Sequence, residues 1–192
     1  EPTSDLVKAA RDATVICFGT LVQRADQSRK TLESLLSEAP NAIKFLDINL
    51  RKDCFSVETI QSSLKAATIL KLNDDEVRVV NELLSLNTES IQDFSRKIIE
   101  QYSLDCCLIT RAERGVFAMS KSGQEVDVPG RKVNVVDTIG SGDAFSAGFL
   151  TQYIKGATLD TACEFGNKIG GIVATTKGGM SNIPEAALGN NL

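Results

Sequence analysis

The chain has 192 residues, long enough to bury a core without disulfides or a metal, and one domain spanning 1–192 is expected. Hydrophobic residues at 42%, charged residues at 24% and a net charge of −4 describe an ordinary globular protein and argue against a nucleic-acid partner, which needs a concentrated basic surface. With His 0, catalysis by Ser-His-Asp or Cys-His, histidine bases and histidine metal sites are all excluded.

The polar start, EPTSDLVKAARD, lacks an initiator Met and the apolar core of a signal peptide, so the chain is expected to begin inside a longer gene product. Thr14 to Gly19 is a short β-branched and apolar run that reads as a buried strand. Asp26 to Ala39 carries Leu32, Leu35, Leu36 and Ala39 at helical spacing, and Pro40 stops it. Ile43 to Ile48 reads as the next strand, followed by a helix over Val57 to Ala67 and a short strand at Thr68 to Lys71. A helix from Asn73 to Ser85 follows, then one opened by Ser90 with Ile91, Phe94, Ile98 and Tyr102 as its apolar stripe. Leu104 to Thr110 is a strand, and Gly115 to Val136 reads as short strands with turns. Two helices close the chain, Gly142 to Lys155 and Leu159 to Thr175, before a frayed tail from Ala186 to Leu192.

Strands alternating with helices predict a mostly parallel sheet covered by helices, with ligands bound beyond the carboxyl ends of the strands. Cys17, Cys54, Cys106, Cys107 and Cys163 form no C-x-x-C pair and leave an odd count. They read as reduced thiols of a cytoplasmic protein rather than metal ligands or disulfides. No apolar run approaches the ~18 residues of a membrane span.

The richest segment is Val133-Asn-Val-Val-Asp137-Thr-Ile-Gly140-Ser-Gly142-Asp143-Ala-Phe-Ser-Ala-Gly148. A strand is expected to run into Asp137, with Gly140, Ser141 and Gly142 turning the chain into a helix. Such a turn aims backbone N–H groups at one point, where the helix dipole already favours an anion. It would hold the charge developing on a transferring phosphoryl group. Asp143, in the first turn, is placed to take a proton from a hydroxyl attacking phosphorus. Two other readings compete: a plain capped helix start, and a dinucleotide fingerprint, Gly140-x-Gly142-x-x-Phe145 with Asp160 beyond it. The latter has Phe145 where close packing asks for glycine or alanine.

The string resembles the D-T-x-G-[AS]-G-D signature of the PfkB carbohydrate kinases, the ribokinase-like family. Other segments match that family in order. Asp47-Ile-Asn49-Leu-Arg51 resembles D-x-N-x-R, Asn73-Asp-Asp-Glu76 resembles N-x-x-E, and Thr110-Arg-Ala112-Glu-Arg-Gly115 resembles T-x-G-x-x-G. Ala174-Thr-Thr-Lys-Gly-Gly179 resembles the segment closing near the nucleotide, so the likeness runs from Thr14 to Pro184. It implies a three-layer α/β/α fold and ATP-dependent phosphorylation of a sugar hydroxyl, with Mg²⁺ and often K⁺. By that resemblance Asp143 is the base, and Gly140, Ser141 and Gly142 form the anion hole. Asn73 and Glu76 act around Mg²⁺ and the phosphates through water, in keeping with an ion that retains its waters. Thr110 and Gly115 lie beside the nucleotide, Asn167 approaches the adenine, and Arg51 offers a fork to phosphate. Asp137, with the carbonyls of Ile139, Ala174 and Gly179, surrounds the monovalent cation.

Plainer readings stand beside these. Asn73-x-x-Glu76 is also a capping box, Asp47 and Arg51 could form a surface ion pair, Lys177 reads as solvated, and Asn167, Gly170 and Gly171 could simply permit close packing. A catalytically silent nucleotide- or sugar-sensing module is the alternative from another class. Phe18-Gly-Thr-Leu-Val-Gln-Arg24 and Asp47 to Arg51 resemble fructokinase-type members, pointing to a ketohexose such as fructose. Ala112 departs from the family's glycine, which would set that loop further from the ribose. The family's N-terminal strands and sugar lid have no counterpart here, so a partial domain is expected. Its truncated sheet would expose Val15, Phe18, Ile43 and Phe45, drive self-association into a homodimer, and leave the chain alone a poor catalyst.

Overall fold

Helix caps and apolar spacing set the elements, and the computed structural model of the chain describes residues 2–180 and 182–188. Two compact units result, Glu1–Ile109 with Met119–Gly123, and Thr110–Ala118 with Gln124–Leu192. The strands follow the order β1-β2-β3-β4-β5-β6, so each takes its place in the sheet in chain order.

In the first unit lie β1 (Val15–Phe18), β2 (Ile43–Asp47), β3 (Ile69–Asn73) and most of β4 (Cys106–Thr110). β1 and β2 pair in parallel, as do β2 and β3, in a register that sets Asp47 opposite Lys71. The connecting helices are α2 (Asp26–Ser37), α3 (Val57–Ala66), α4 (Asp74–Leu83) and α5 (Ile91–Tyr102). Ser56, Asn73 and Ser90 each accept a first-turn N–H as N-cap, so these starts follow from their own sequence. Phe45, Leu46, Ile60, Leu64, Leu70, Phe94 and Ile98 make a fully buried core. Each such side chain contributes roughly 1.5–3 kcal/mol.

One expectation fails in this unit. Phe18 and Phe45 are 7% and 0% exposed rather than bare, and Val15 and Ile43 are half-buried. The helices cover them: Phe18 lies with Leu36 and Ala66 of α2 and α3, and α3 packs on β2. The polar N-terminus also forms a helix, α1 (Ser4–Asp12), capped by Thr3 and tied to the end of α2 by an Arg11–Glu38 ion pair of 2.6 Å.

The second unit holds most of β5 (Val116–Ser120), β6 (Glu125–Val128), α6 (Ser141–Tyr153), α7 (Leu159–Ala174) and a short α8 (Glu185–Leu188). α6 and α7 press together where side chains are absent. A Cβ on Gly148 would lie 3.1 Å from the Gly166 Cα, and one on Gly166 would lie 2.8 Å from the Phe145 ring. The expected strand before Asp137 does not form. Val133, Val135 and Val136 are exposed, and the N–H groups of Val136 and Asp137 turn instead to the Ala174 carbonyl, at 2.9 and 3.3 Å. Of the expected frayed tail, residues 186–188 are helical, in α8, and 189–192 lie outside the described residues. Among the described residues, no helix is long and apolar enough to cross a membrane.

Candidate active site

The first unit gathers its motif residues at the carboxyl ends of β2 and β3. Asn73 caps α4: its Oδ1 accepts the Glu76 N–H, and Glu76 Oε2 accepts the Asn73 N–H, both at 2.8 Å. The other Glu76 oxygen accepts the Leu50 N–H at 2.8 Å, so one carboxylate joins the loop after β2 to the loop after β3. Glu76 is 8% exposed. Burial pushes its pKa up, against the Asn73 and Leu50 N–H groups and the Lys71 charge, while Asp47 pushes it further up. Asp47 pairs with Lys71, Nζ to Oδ2 2.9 Å, with the two side chains 20% and 8% exposed. Arg51, offered above as its partner, is exposed and makes no ion pair among the described residues.

Each Glu76 oxygen keeps a second lone pair, which can receive a water molecule. No group of three or more His, Cys, Asp or Glu residues is placed to hold a metal among the described residues. The Asn73 and Glu76 oxygens therefore fit a hydrated Mg²⁺ reached through water, and do not form a direct cage.

The second unit builds the glycine turn. Gly140, with φ 77°, caps α6 in the left-handed region, and a Cβ there would lie 2.7 Å from the Gly179 backbone. The Ser141 Oγ donates to the Gly170 carbonyl at 3.0 Å, and the Ser141 N–H donates to the Thr138 carbonyl at 3.2 Å. Ser141 therefore anchors the turn to α7, while the N–H groups of Gly140, Gly142 and Asp143 donate to nothing among the described residues. Asp143 is exposed on the first turn of α6. Asp137 Oδ1 and Oδ2 accept the N–H groups of Ile139 and Gly178, each at 3.0 Å. Those bonds, Ile139 first, hold its carboxyl below the usual aspartate range.

The dinucleotide fingerprint requires a strand immediately before its turn, and residues 131–138 are not one. The proposed cation set is also altered. The Ala174 carbonyl receives two backbone N–H groups, so both its lone pairs are engaged, leaving the Ile139 and Gly179 carbonyls with Asp137.

Around Thr110 the backbone is drawn in tightly. A Cβ on Gly115 would lie 2.0 Å from the Val128 carbonyl oxygen, and one on Gly130 would lie 2.3 Å from that of Glu113. Ala112 adopts φ 49°, so the loop keeps a glycine-like turn in spite of its methyl group. The Asn167 amide donates to the Val128 and Pro129 carbonyls, both at 3.3 Å, leaving only its Oδ1 for a base edge. Lys177 is exposed, as its solvated reading requires. Cys106, Cys107 and Cys163 are buried, and burial pushes the thiols of Cys107 and Cys163 up to about 12, so neither is a nucleophile.

Parallel strands ending in capped acidic loops, and a helix start with free N–H groups beside an acid, are features of the α/β phosphotransferases. The pfkB family carbohydrate kinase model matches residues 1–186, and the chain belongs to that family. Its fold is the ribokinase-like α/β fold. Among relatives, an Escherichia coli fructokinase is 28% identical over 173 residues, covering 83% of this chain and 54% of its own. A Salmonella enterica aminoimidazole riboside kinase, solved with aminoimidazole riboside and an ATP analog, is 25% identical with a TM-score of 0.76, covering 92% of this chain and 62% of its own. A Vibrio cholerae fructokinase, solved with fructose, ADP and calcium, shares the fold at TM-score 0.77 and 22% identity, over 90% and 58%. The chain thus spans little more than half the length of these relatives.

Proposed function

We propose that the protein transfers the γ-phosphoryl group of ATP to a sugar hydroxyl, with Asp143 as general base. What supports this most directly is the α6 turn, where three N–H groups without acceptors stand beside an exposed carboxylate. The Gly140, Gly142 and Asp143 amides would receive the developing negative charge, a contribution that needs no reorganisation because the turn is already locked to α7. Ser141 would act by holding that turn. Asn73 and Glu76 would order the waters of Mg²⁺, whose chemistry is to neutralise phosphate charge, and Arg51 would meet a phosphate oxygen. Thr110, Gly115 and the Asn167 Oδ1 would border the nucleotide. Asp137 and the carbonyls of Ile139 and Gly179 would hold K⁺.

A ketohexose such as fructose is the proposed acceptor, after the fructokinase relative; the riboside kinase at similar identity keeps ribosides in the test panel. The chain by itself would phosphorylate sugar poorly, the intact protein would work in the cytoplasm, and self-association would engage the outer edge of β1. Asp143→Asn in the intact protein is expected to lower kcat ~10²–10⁴-fold while ATP·Mg binding persists. Near-normal turnover would remove Asp143 from the base role. Loss of nothing because the parent itself turns over no sugar would favour a sensor. A panel in which ribose or a nucleoside clearly outruns fructose would reverse the choice of acceptor.

A further inference from the structure

We propose that Arg111 is a positioning residue for nucleotide selection: its guanidinium holds the 128–130 segment so that Asn167 offers a base only an acceptor. This role rests on the proposed kinase reading, in which the nucleotide lies beside Thr110, Gly115 and Asn167, all in the second unit.

Arg111 stands between the end of β4 and the turn at Ala112–Arg114. Its N–H donates to the Gly115 carbonyl at 2.7 Å, and its own carbonyl accepts the Arg114 N–H at 3.0 Å, so its backbone closes the loop. Its side chain reaches across to β6. Nη1 donates to Asp127 Oδ2 at 3.2 Å, while Nη2 donates to Asp127 Oδ1 and to the Arg114 carbonyl, the latter at 3.3 Å. The side chain is 12% exposed, and its Nε is buried without a partner among the described residues. One carboxylate and one carbonyl therefore carry the compensation of this charge, and the two-pronged geometry fixes its direction. Both terminal nitrogens are committed to the protein, so Arg111 orients its surroundings and does not reach for phosphate.

What it orients follows from the next residues. Asp127 directly precedes Val128, whose carbonyl oxygen leaves no room for a side chain on Gly115; Gly130 is pressed in the same way against Glu113. A shift of the loop is therefore passed on to residues 128–130. The Asn167 Nδ2 donates to the Val128 and Pro129 carbonyls. Those two acceptors fix the amide, because a rotated amide would set its oxygen against theirs. Oδ1 is then the group left for a base. It suits the exocyclic amine of adenine and opposes the carbonyl oxygen that hypoxanthine carries at the same position. Without the Arg111 fork the two carbonyls lose their fixed place, the amide is free to turn, and the selection is lost.

The test is calorimetric titration of adenosine, inosine and tripolyphosphate into the full chain and its variants. The unaltered chain is expected to prefer adenosine over inosine about tenfold. Arg111→Met should bring that preference to within about twofold, and Arg111→Lys, which keeps the charge without the fork, should fall between. Asp127→Asn, at a side chain 58% exposed, should move the preference the same way and decides the matter if Arg111→Met does not fold. Tripolyphosphate, which the α6 turn would take, should bind the folded variants and the unaltered chain alike. A full adenosine preference in Arg111→Met, or in Asp127→Asn where the former is unfolded, would overturn the proposal. So would an unaltered chain that binds both nucleosides equally, or tripolyphosphate affinity falling in step with adenosine, which would reduce Arg111 to a general prop. Each of these leaves the kinase reading standing, whereas an unaltered chain that binds neither adenosine nor tripolyphosphate would remove both.

Discussion

Glu76 and Asp137 each grip two backbone N–H groups, yet their acidities move in opposite directions. Around Glu76 the loss of water is the largest influence and outweighs two hydrogen bonds and a neighbouring ammonium. Around Asp137, which is partly exposed, the hydrogen bonds prevail. The same local bonding therefore has two consequences for stability. Folded Glu76 holds its proton more tightly than the unfolded chain does, so its ionisation weakens the fold as pH rises through its raised value. Asp137 does the reverse: its contribution is present above the usual aspartate range and is lost as pH falls through its depressed value. The first unit builds its loops from buried charge that must be compensated, and the second builds its turn from glycine and surface hydrogen bonds.

Removing the compensation should have the largest effect. Lys71→Met leaves Asp47 and Glu76 facing each other without their ammonium, and is expected to lower stability by about 3 kcal/mol in urea denaturation. A loss under about 1 kcal/mol would place the pair with ordinary surface bridges and erase the contrast. The glycine turn should respond more modestly in stability and more sharply in ligand binding. Gly140→Ala is expected to lose about 2 kcal/mol from its left-handed φ and its approach to Gly179, with ATP affinity falling further than stability. Affinity unchanged in calorimetry would show that the turn does not receive phosphate.

A gain is expected at Ala112. Relieving its φ of 49° with Ala112→Gly should raise stability by about 1 kcal/mol, read as a higher midpoint in the same denaturation series. The smallest effect is local. The Gly178 amide should keep its hydrogen-bonded chemical shift down to a pH below the usual aspartate range, because its acceptor is the depressed Asp137. A transition within or above that range would mean that water, not the two N–H groups, governs this carboxyl as well.

Much of the fold was legible because its signals are short-range. Asn73 and Glu76 announce a capping box three residues apart, and the α5 stripe of Ile91, Phe94 and Ile98 needs only helical spacing. The site was legible in its glycines and acids, because Gly140 is required by a turn that few other residues adopt. What escaped depends on partners far along the chain. Lys71 reads as an ordinary strand lysine until β2 sets Asp47 opposite it, 24 residues away. Val133 to Val136 read as a strand on their β-branched composition, and propensity cannot report that the Val136 N–H turns to the Ala174 carbonyl, 38 residues on. Ser141 was read as an anion ligand, but its N–H donates to the Thr138 carbonyl within the turn and only the position of α7 shows that its hydroxyl is engaged, by Gly170. α1 was missed because its few apolar residues, Leu6, Val7 and Ala10, make a stripe too thin to stand out in a polar run.

The seam between α6 and α7 carries a consequence for inheritance. At Gly148, Gly166 and Gly170 the approaching atoms are backbone, the Phe145 side chain, another glycine and, at Gly148, the Ile169 side chain. When a side chain is enlarged in most interiors, a neighbour can be trimmed to make room, and two changes together are survivable where either alone is not. Here a Cβ on Gly170 would meet the Ser141 backbone oxygen at 2.9 Å, which no trimming removes, and Gly148 and Gly166 could be filled only by reshaping Ile169 or Phe145. The outward-facing Ala147 and Glu164 on the same helices are under no such restraint. Variation in this part of the molecule should accumulate on the outer faces of the two helices, leaving the seam a silent stretch in its lineage.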